Sequence, residues 1–128
     1  MNPNRRMVLL AGAAAAFVYP TASRAADTVK VSIPEDNSVF EPAEVQIKVG
    51  DSVEWTNYSI IEHTVTCDPA KVREAKNVAL PSGASVFDSG EFGHEQTFRH
   101  QFNSPGRYRY FCILHEDMGM VGEVIVNA

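Results

Sequence analysis

The chain has 128 residues, of which 45% are hydrophobic and 21% are charged. Sixteen acidic and eleven basic side chains give it a net charge of -5 with the histidines neutral. This acidic balance argues against a nucleic-acid-binding protein, which needs a basic surface to neutralise phosphates.

Residues 1–25 are predicted to be an export signal that is removed from the mature protein. Arg5 and Arg6 would form its basic beginning, a short apolar region follows, and Ser23 and Ala25 place small side chains where cleavage occurs. The apolar region is too short for a membrane span. Adjacent arginines also suit twin-arginine export, so the Sec and twin-arginine routes both stay open. We therefore expect a periplasmic protein with no stable membrane insertion.

Residues 26–128 are predicted to form one domain, because their number leaves no room for a second core. Removal of the leader takes three arginines away and leaves 8 basic against 16 acidic side chains, a net charge of -8. We expect such a domain to be steered toward a partner with a cationic surface.

Short alternating segments separated by turn residues predict an all-β sandwich rather than a helical or βαβ protein. The predicted strands are, in chain order, 28–33, 45–49, 52–57, 63–67, 85–87, 97–102, 107–112 and 121–126. Gly50 and Asp51 separate the second strand from the third and predict a hairpin. Residues 69–80 predict a short irregular helix or crossover. His100 shares a face of its strand with two phenylalanines, which favours a core or boundary position over a ligand role.

Metal-binding side chains cluster near the C-terminus. Cys112, His115 and Met120 lie within nine residues, with Met118 as a second thioether, and a further imidazole stands on a predicted strand at His63. Folding could bring two histidines, one cysteine and a weak axial methionine together. This donor set suits copper in both Cu(I) and Cu(II).

Other interpretations of these residues remain open. Structural zinc sites usually contain pairs such as Cys-x2-Cys, which this chain lacks. A disulfide between Cys67 and Cys112 would be ordinary in a small exported domain, and the protein would then bind a partner and no metal. Cys67 follows His63 by four residues on the same face of an extended strand, and as a small buried hydrophobe it needs no partner. The order and spacing of the donors favour the metal site.

The chain resembles the plastocyanin-like blue copper proteins, the cupredoxins, and among them the small plastocyanin and halocyanin type members. The resemblance covers nearly all of residues 26–128, and its most specific part is the spacing Cys-x2-His-x4-Met. It is carried by residues 49–57, 63–66, 87–90, 98–102, 105–108, 112–115 and 119–122. The implied fold is a cupredoxin-like Greek-key β-sandwich of about seven to eight strands with one short helix or irregular crossover.

The resemblance also implies the site and its function. One copper ion would be held by His63, Cys112 and His115, with Met120 rather than Met118 at the axial position. The protein would act as a monomer and would not be an enzyme. It would shuttle single electrons in the periplasm between a redox protein donor and a redox protein acceptor. A periplasmic copper carrier or buffer would use the same ligands and is the alternative.

The chain departs from the family pattern in the ligand loop. Leu114 stands where family members usually have proline before the second histidine, which predicts a less rigid loop. Many relatives also join their ligand loops through polar side chains after the first histidine and after the cysteine, where this chain has Thr64 and Ile113. Tyr108 resembles the tyrosine-corner residue of such sandwiches and is interpreted as structural.

His115 is implied to be the ligand that faces solvent and passes electrons. Its surroundings would form an apolar docking rim of Leu114, Met118 and Gly119. An acidic border is expected beside this rim, unless the residues are ordinary solvated charges; it would comprise Glu62, Glu116 and Asp117.

Overall fold

The computed structural model describes residues 24–128, so the predicted leader lies outside the described residues apart from its last two positions. Eight strands and two single-turn 3-10 helices form within this range. The strands are β1 (Thr28–Ile33), β2 (Glu44–Lys48), β3 (Ser52–Asn57), β4 (Thr66–Cys67), β5 (Phe87–Asp88), β6 (Thr97–Gln101), β7 (Gly106–Phe111) and β8 (Val121–Asn127). The helical turns are Ala75–Asn77 and Glu116–Met118.

The strands form two sheets that pack face to face, which confirms the predicted all-β sandwich. One sheet has the order β1-β3-β6 and the other the order β2-β8-β7-β4-β5. β1 pairs with β3 in parallel, as does β2 with β8, and the other pairs are antiparallel. No helix of the described part of the chain is long and apolar enough to cross a membrane.

The predicted hairpin between the second and third strands is wrong. The turn exists, with Gly50 at φ +98°, but β2 and β3 lie in different sheets and do not pair. The Asp51 carboxylate accepts the backbone N–H groups of Lys48 and Asp27 at 3.0 and 2.9 Å, which bends the chain across the sandwich. Val45 and Val53 thereby reach the same core from opposite sheets, and a hairpin would have placed both strands in one layer.

The strand predicted over 63–67 is shorter in the structure because its backbone amides bond to side chains. The N–H of Thr64 donates to the sulfur of Cys112, and the N–H of Val65 donates to the hydroxyl of Ser89. His63 makes only an isolated bridge, to Phe92. Loss of the ladder at this point brings the donors of the candidate site to the end of the sheet.

The core joins the two sheets through a buried aromatic pair. Trp55 of β3 is fully buried, and its indole N–H donates to the hydroxyl of Tyr110 on β7 at 3.1 Å. Tyr108 donates its hydroxyl to the carbonyl of Ser104 at 2.8 Å, which confirms its structural role. His100 is half-buried and stacks on a phenylalanine at 4.2 Å, as expected for a boundary residue. Residues 69–80 form an irregular crossover with one helical turn, as predicted.

Candidate metal centre

Three of the predicted donors converge at one end of the sandwich. The ligand atoms of His63, Cys112 and His115 all lie within 4.8 Å of one another. The Cys112 sulfur is 3.8 Å from Nδ1 of His63 and 3.5 Å from Nδ1 of His115. His63 and Cys112 are fully buried, whereas His115 is partly exposed. The cluster could hold one metal ion, with a single edge open to solvent.

The ligand loop is closed by its own backbone. Cys112 follows the end of β7, and its N–H donates to the carbonyl of Met120 at the start of β8. The N–H of His115 donates to the Cys112 carbonyl at 3.2 Å, and the N–H of Met120 donates to the His115 carbonyl at 3.3 Å. The loop therefore returns on itself and presents the sulfur and the imidazole toward His63.

The two methionines of the loop lie in opposite environments. Met120 is fully buried within the core cluster, whereas 67% of Met118 is exposed. Gly119 between them ends the helical turn at φ +79°, a backbone conformation that side chains other than glycine adopt at a cost. This glycine lets the chain reverse so that one thioether points inward and the other points outward.

A hydrogen-bonded chain joins the two ligand loops although the side chain of Ile113 is apolar. The N–H of Ile113 donates to the Thr64 hydroxyl at 2.8 Å, and that hydroxyl is 2.9 Å from the hydroxyl of Thr66. The Thr66 hydroxyl donates to Asp88, which also accepts from Lys71 at 2.6 Å. Because the Thr66 proton goes to the carboxylate, the Thr64 hydroxyl must donate to Thr66. The two ligand loops are therefore joined through Thr64, with a backbone N–H in place of a polar side chain at position 113.

The loop that carries Thr64 also provides one hydrogen-bond donor to the Cys112 sulfur. The N–H of Thr64 points at the Cys112 sulfur at 3.3 Å. A hydrogen bond from a backbone amide stabilises negative charge on sulfur and influences the redox potential of a metal held there. Sequence reasoning gave Thr66 of β4 and Asp88 of β5 no role at the site, although both lie in segments, 63–66 and 87–90, that carry the family resemblance.

Glu116 does not belong to the acidic border expected beside the docking rim. Its side chain is 5% exposed and points away from solvent. The carboxylate accepts the backbone N–H groups of Arg73 and Glu74 and the amide of Asn77 at 2.9–3.2 Å. Burial raises the pKa of Glu116, but these hydrogen bonds outweigh it and the pKa is lowered. The residue after His115 therefore attaches the ligand loop to the crossover.

The imidazole of His63 is neutral at neutral pH. Burial, and secondly the neighbouring imidazole of His115, lower the pKa of His63 to about 4. Its Nδ1 atom faces Cys112, and its Nε2 atom lies 3.0 Å from the hydroxyl of Ser59. A neutral ring offers a metal one lone pair, which a charged ring cannot.

The two cysteines have separate surroundings and are both free. Cys67 is fully buried, and its sulfur contacts the carbonyls of Ala79 and Arg109 at 3.3 and 3.4 Å. Burial, followed by the charge of Asp68, raises the pKa of Cys67 to about 12. It is therefore a protonated, unreactive core residue, and the structure contradicts the disulfide interpretation.

Comparison with known proteins identifies the family. The sequence profile of the copper binding proteins of the plastocyanin/azurin family matches residues 27–127. This chain belongs to that family. It is 37% identical over 124 residues to the chloroplastic plastocyanin of Tetradesmus obliquus, which covers 96% of this chain and 82% of the relative. It is 33% identical over 118 residues to the plastocyanin of Nostoc punctiforme, covering 87% and 82%.

Solved structures support the same fold. A purple cupredoxin from Nitrosopumilus maritimus superposes with a TM-score of 0.60 at 26% identity, over 77% of this chain and 99% of that one. An oxidised mutant of amicyanin gives the same TM-score and identity, over 77% and 81%. The family cofactor is copper, and the cluster of two imidazoles and one thiolate fits a type 1 copper site.

Proposed function

We propose that this cupredoxin is a type 1 copper electron carrier of the periplasm, with copper held by His63, Cys112 and His115 and with Met120 as the axial ligand. The observation that carries the proposal is the convergence of the three donors within 4.8 Å. Bound copper would supply a one-electron couple between Cu(I) and Cu(II). The burial of Met120 supports its place as the fourth donor.

The residues around the donors would limit rearrangement when an electron arrives. Cys112 and His115 lie in one loop, and Glu116 attaches that loop to the crossover. His63 is enclosed and bonded through both its backbone and its ring. A site whose ligands cannot move far keeps one geometry in both oxidation states, which favours rapid electron transfer. With four positions filled, no open position is left for a substrate, so we infer that the protein is not an enzyme.

Electrons would pass through His115, since it is the one of the three donors that reaches the surface. Leu114 is 42% exposed and Met118 is 67% exposed, and they supply an apolar docking surface beside it. The acidic balance of residues 26–128 favours donor and acceptor redox proteins with cationic patches. The carrier would act as a monomer, and it would reach the periplasm through the leader predicted over residues 1–25.

Reconstitution with Cu(II) tests this proposal. We expect the loaded protein to show an intense visible band from charge transfer between the Cys112 thiolate and copper. Cys112→Ser should abolish the band, and Cys67→Ser, which removes the other buried sulfur, should leave it in place. A colourless loaded protein would contradict the type 1 site.

Electrochemistry separates the carrier from a copper buffer. An electron carrier should cycle reversibly at an electrode and keep its copper against chelators in both oxidation states. Fast loss of copper to a chelator without reversible cycling would instead support the copper carrier that uses the same ligands.

A further inference from the structure

A buried polar chain leads away from the ring of His63 on the side opposite the metal donors. The Nε2 atom of His63 is 3.0 Å from the hydroxyl of Ser59, and that hydroxyl is 2.7 Å from the side-chain oxygen of Asn57. All three side chains are at least 96% shielded, with exposed fractions of 0%, 4% and 0%. Because solvent cannot satisfy a misplaced proton there, the position of each hydrogen follows from its neighbours.

The orientation of the Asn57 amide is set by two backbone carbonyls. One terminal atom of the side chain lies 2.8 Å from the carbonyl of Ile61 and 3.0 Å from that of Phe92. Carbonyl oxygens only accept, so this atom must be the nitrogen, which donates both of its hydrogens. The other terminal atom is therefore the oxygen, and it accepts the backbone N–H of Ser59 at 2.9 Å.

The direction of the Ser59 hydroxyl follows. The neighbours of this oxygen within hydrogen-bond reach include the Asn57 oxygen at 2.7 Å and the carbonyl of Ile61 at 3.1 Å, and neither can donate. The single hydroxyl proton must go to one of them, since two acceptor oxygens at 2.7 Å without a proton between them would repel. Toward His63 the hydroxyl can then only accept, so Nε2 of His63 carries the ring proton.

We propose that Ser59 is a positioning residue for copper: held by Asn57, it fixes His63 as the Nε2–H tautomer and leaves the lone pair of Nδ1 directed at the Cys112 sulfur. This inference rests on the proposed copper-binding function. The two nitrogens of a neutral imidazole are distinguished by the hydrogen bond that one of them makes, and partners of ligating histidines influence metal affinity. Sequence reasoning did not find Ser59, whose only signal is a polar residue four positions before the ligand.

Removal of the Ser59 hydroxyl would leave a buried N–H without an acceptor. The ring can then lower its free energy by moving the proton to Nδ1, where the Cys112 sulfur lies at 3.8 Å as a weak acceptor. A proton on Nδ1 occupies the lone pair that the metal needs, so it must leave before copper can bind. Ser59→Ala should therefore weaken copper binding without changing any proposed ligand.

The direct test is the tautomer of His63 in the metal-free protein, read from two-bond 15N–1H correlation spectra at neutral pH. We expect Nε2 to be protonated in the parent protein. In Ser59→Ala the ratio of the Nε2–H to the Nδ1–H form should fall about fivefold, the factor expected from the loss of one hydrogen bond. His115, which does not use Ser59, provides a reference in the same spectrum.

Copper-loaded protein gives the second measurement, the dissociation constant for Cu(I) in competition with a chelator. Ser59→Ala should raise this constant, by no more than about fivefold, because copper affinity falls with the fraction of His63 in the Nε2–H form. Ser59→Thr retains a hydroxyl and should behave as the parent does. Ser52→Ala is the matched control, because it removes a serine hydroxyl of equal exposure, 4%, from the first residue of β3, remote from His63, and should change neither readout.

Protonation of Nδ1 in the parent protein would overturn the proposal, and this result requires no variant to fold. The proposal would also be refuted if Ser59→Ala and Ser52→Ala had the same tautomer ratio or the same copper affinity. Failure of the parent to bind copper would refute the proposed function, and it would remove the role in copper positioning along with it. The spectra of the metal-free protein would show separately whether Ser59 sets the tautomer.

Discussion

Met118 and Met120 are separated by one glycine, but only one thioether reaches the interior. Met120 is fully buried and Met118 is 67% exposed. We expect Met120→Leu to change the reduction potential and the visible spectrum of the copper-loaded protein, because a weak axial ligand influences both. Met118→Leu, the matched substitution on the surface, should leave both unchanged. Cyclic voltammetry and absorption spectra check this, and the reverse ranking would contradict the axial assignment.

Glu116 and its neighbour Asp117 allow another comparison at the residue scale. Glu116 accepts hydrogen bonds from the crossover, whereas Asp117 is exposed. Glu116→Ala should lower the free energy of unfolding by about 2–3 kcal/mol, since it leaves the buried amide of Asn77 and two part-buried backbone N–H groups without their charged acceptor. Asp117→Ala should change it by less than about 0.5 kcal/mol. Denaturant titrations measure both, and equal effects would argue against an anchoring role for Glu116.

At the scale of elements, the ring of Tyr110 on β7 lies directly over Gly122, its register partner on β8. A Cβ atom at Gly122 of β8 would overlap the ring of Tyr110 on β7, and the hydroxyl of that ring accepts from Trp55. The glycine therefore makes room for the aromatic contact between the two sheets. Loss of this space would disturb the core rather than the metal donors.

We expect Gly122→Ala to destabilise the protein by about 1–3 kcal/mol through overpacking. Gly93→Ala serves as the control, because the nearest neighbour of its Cβ would be the flexible end of the Glu62 side chain, at 2.8 Å, and Gln96 Oε1 would lie at 3.5 Å. That variant should stay within about 0.5 kcal/mol of the parent. Thermal or chemical unfolding measures the difference, and a stable Gly122→Ala variant would show that Tyr110 can move.

For the whole molecule, the buried and paired carboxylates make stability depend on pH. A hydrogen bond from Arg107 is the largest effect that lowers the pKa of Glu123, and Arg109 adds to it. A carboxyl whose folded pKa lies below its unfolded value near 4.5 stabilises the protein above that pH, and the contribution is lost as the pH falls through the folded pKa. Acid should therefore destabilise the protein below about pH 4.5.

Glu123→Gln tests this origin of the acid sensitivity. The variant should be about 1 kcal/mol less stable than the parent at pH 7, and the difference should shrink in acid as the pH falls through the folded pKa of Glu123 and the parent loses the same charge. Glu91→Gln, at an exposed position, controls for the loss of one negative charge. Unfolding free energies across this pH range decide the matter; a difference that stays constant would assign the effect to packing.

Prediction from sequence succeeded where local information was sufficient. Strand periodicity placed β1, β3 and β7 to within about one residue, because alternation of buried and exposed side chains is a property of each segment alone. The spacing of Cys112 and His115 similarly brought both donors into one loop. His63 was identified as a ligand through the resemblance to the cupredoxins, because His100 also stands on a predicted strand and lies outside the donor cluster.

Strand pairing, the burial of Glu116 and the position of the His63 proton were decided only by the tertiary structure, because each depends on contacts between segments that are distant in sequence. The turn at Gly50 is local, but whether β2 pairs with β3 or with β8 depends on how two sheets share one core. The charge of Glu116 predicted an exposed side chain, but backbone N–H groups of the crossover donate hydrogen bonds that stabilise its carboxylate in a buried position. The proton on His63 is determined by Ser59 and Asn57, whose hydrogen bonds exist only after the loops have folded together. Sequence by itself therefore determined most of the strands and the candidate donors, and packing determined which strands pair and which groups the donors contact.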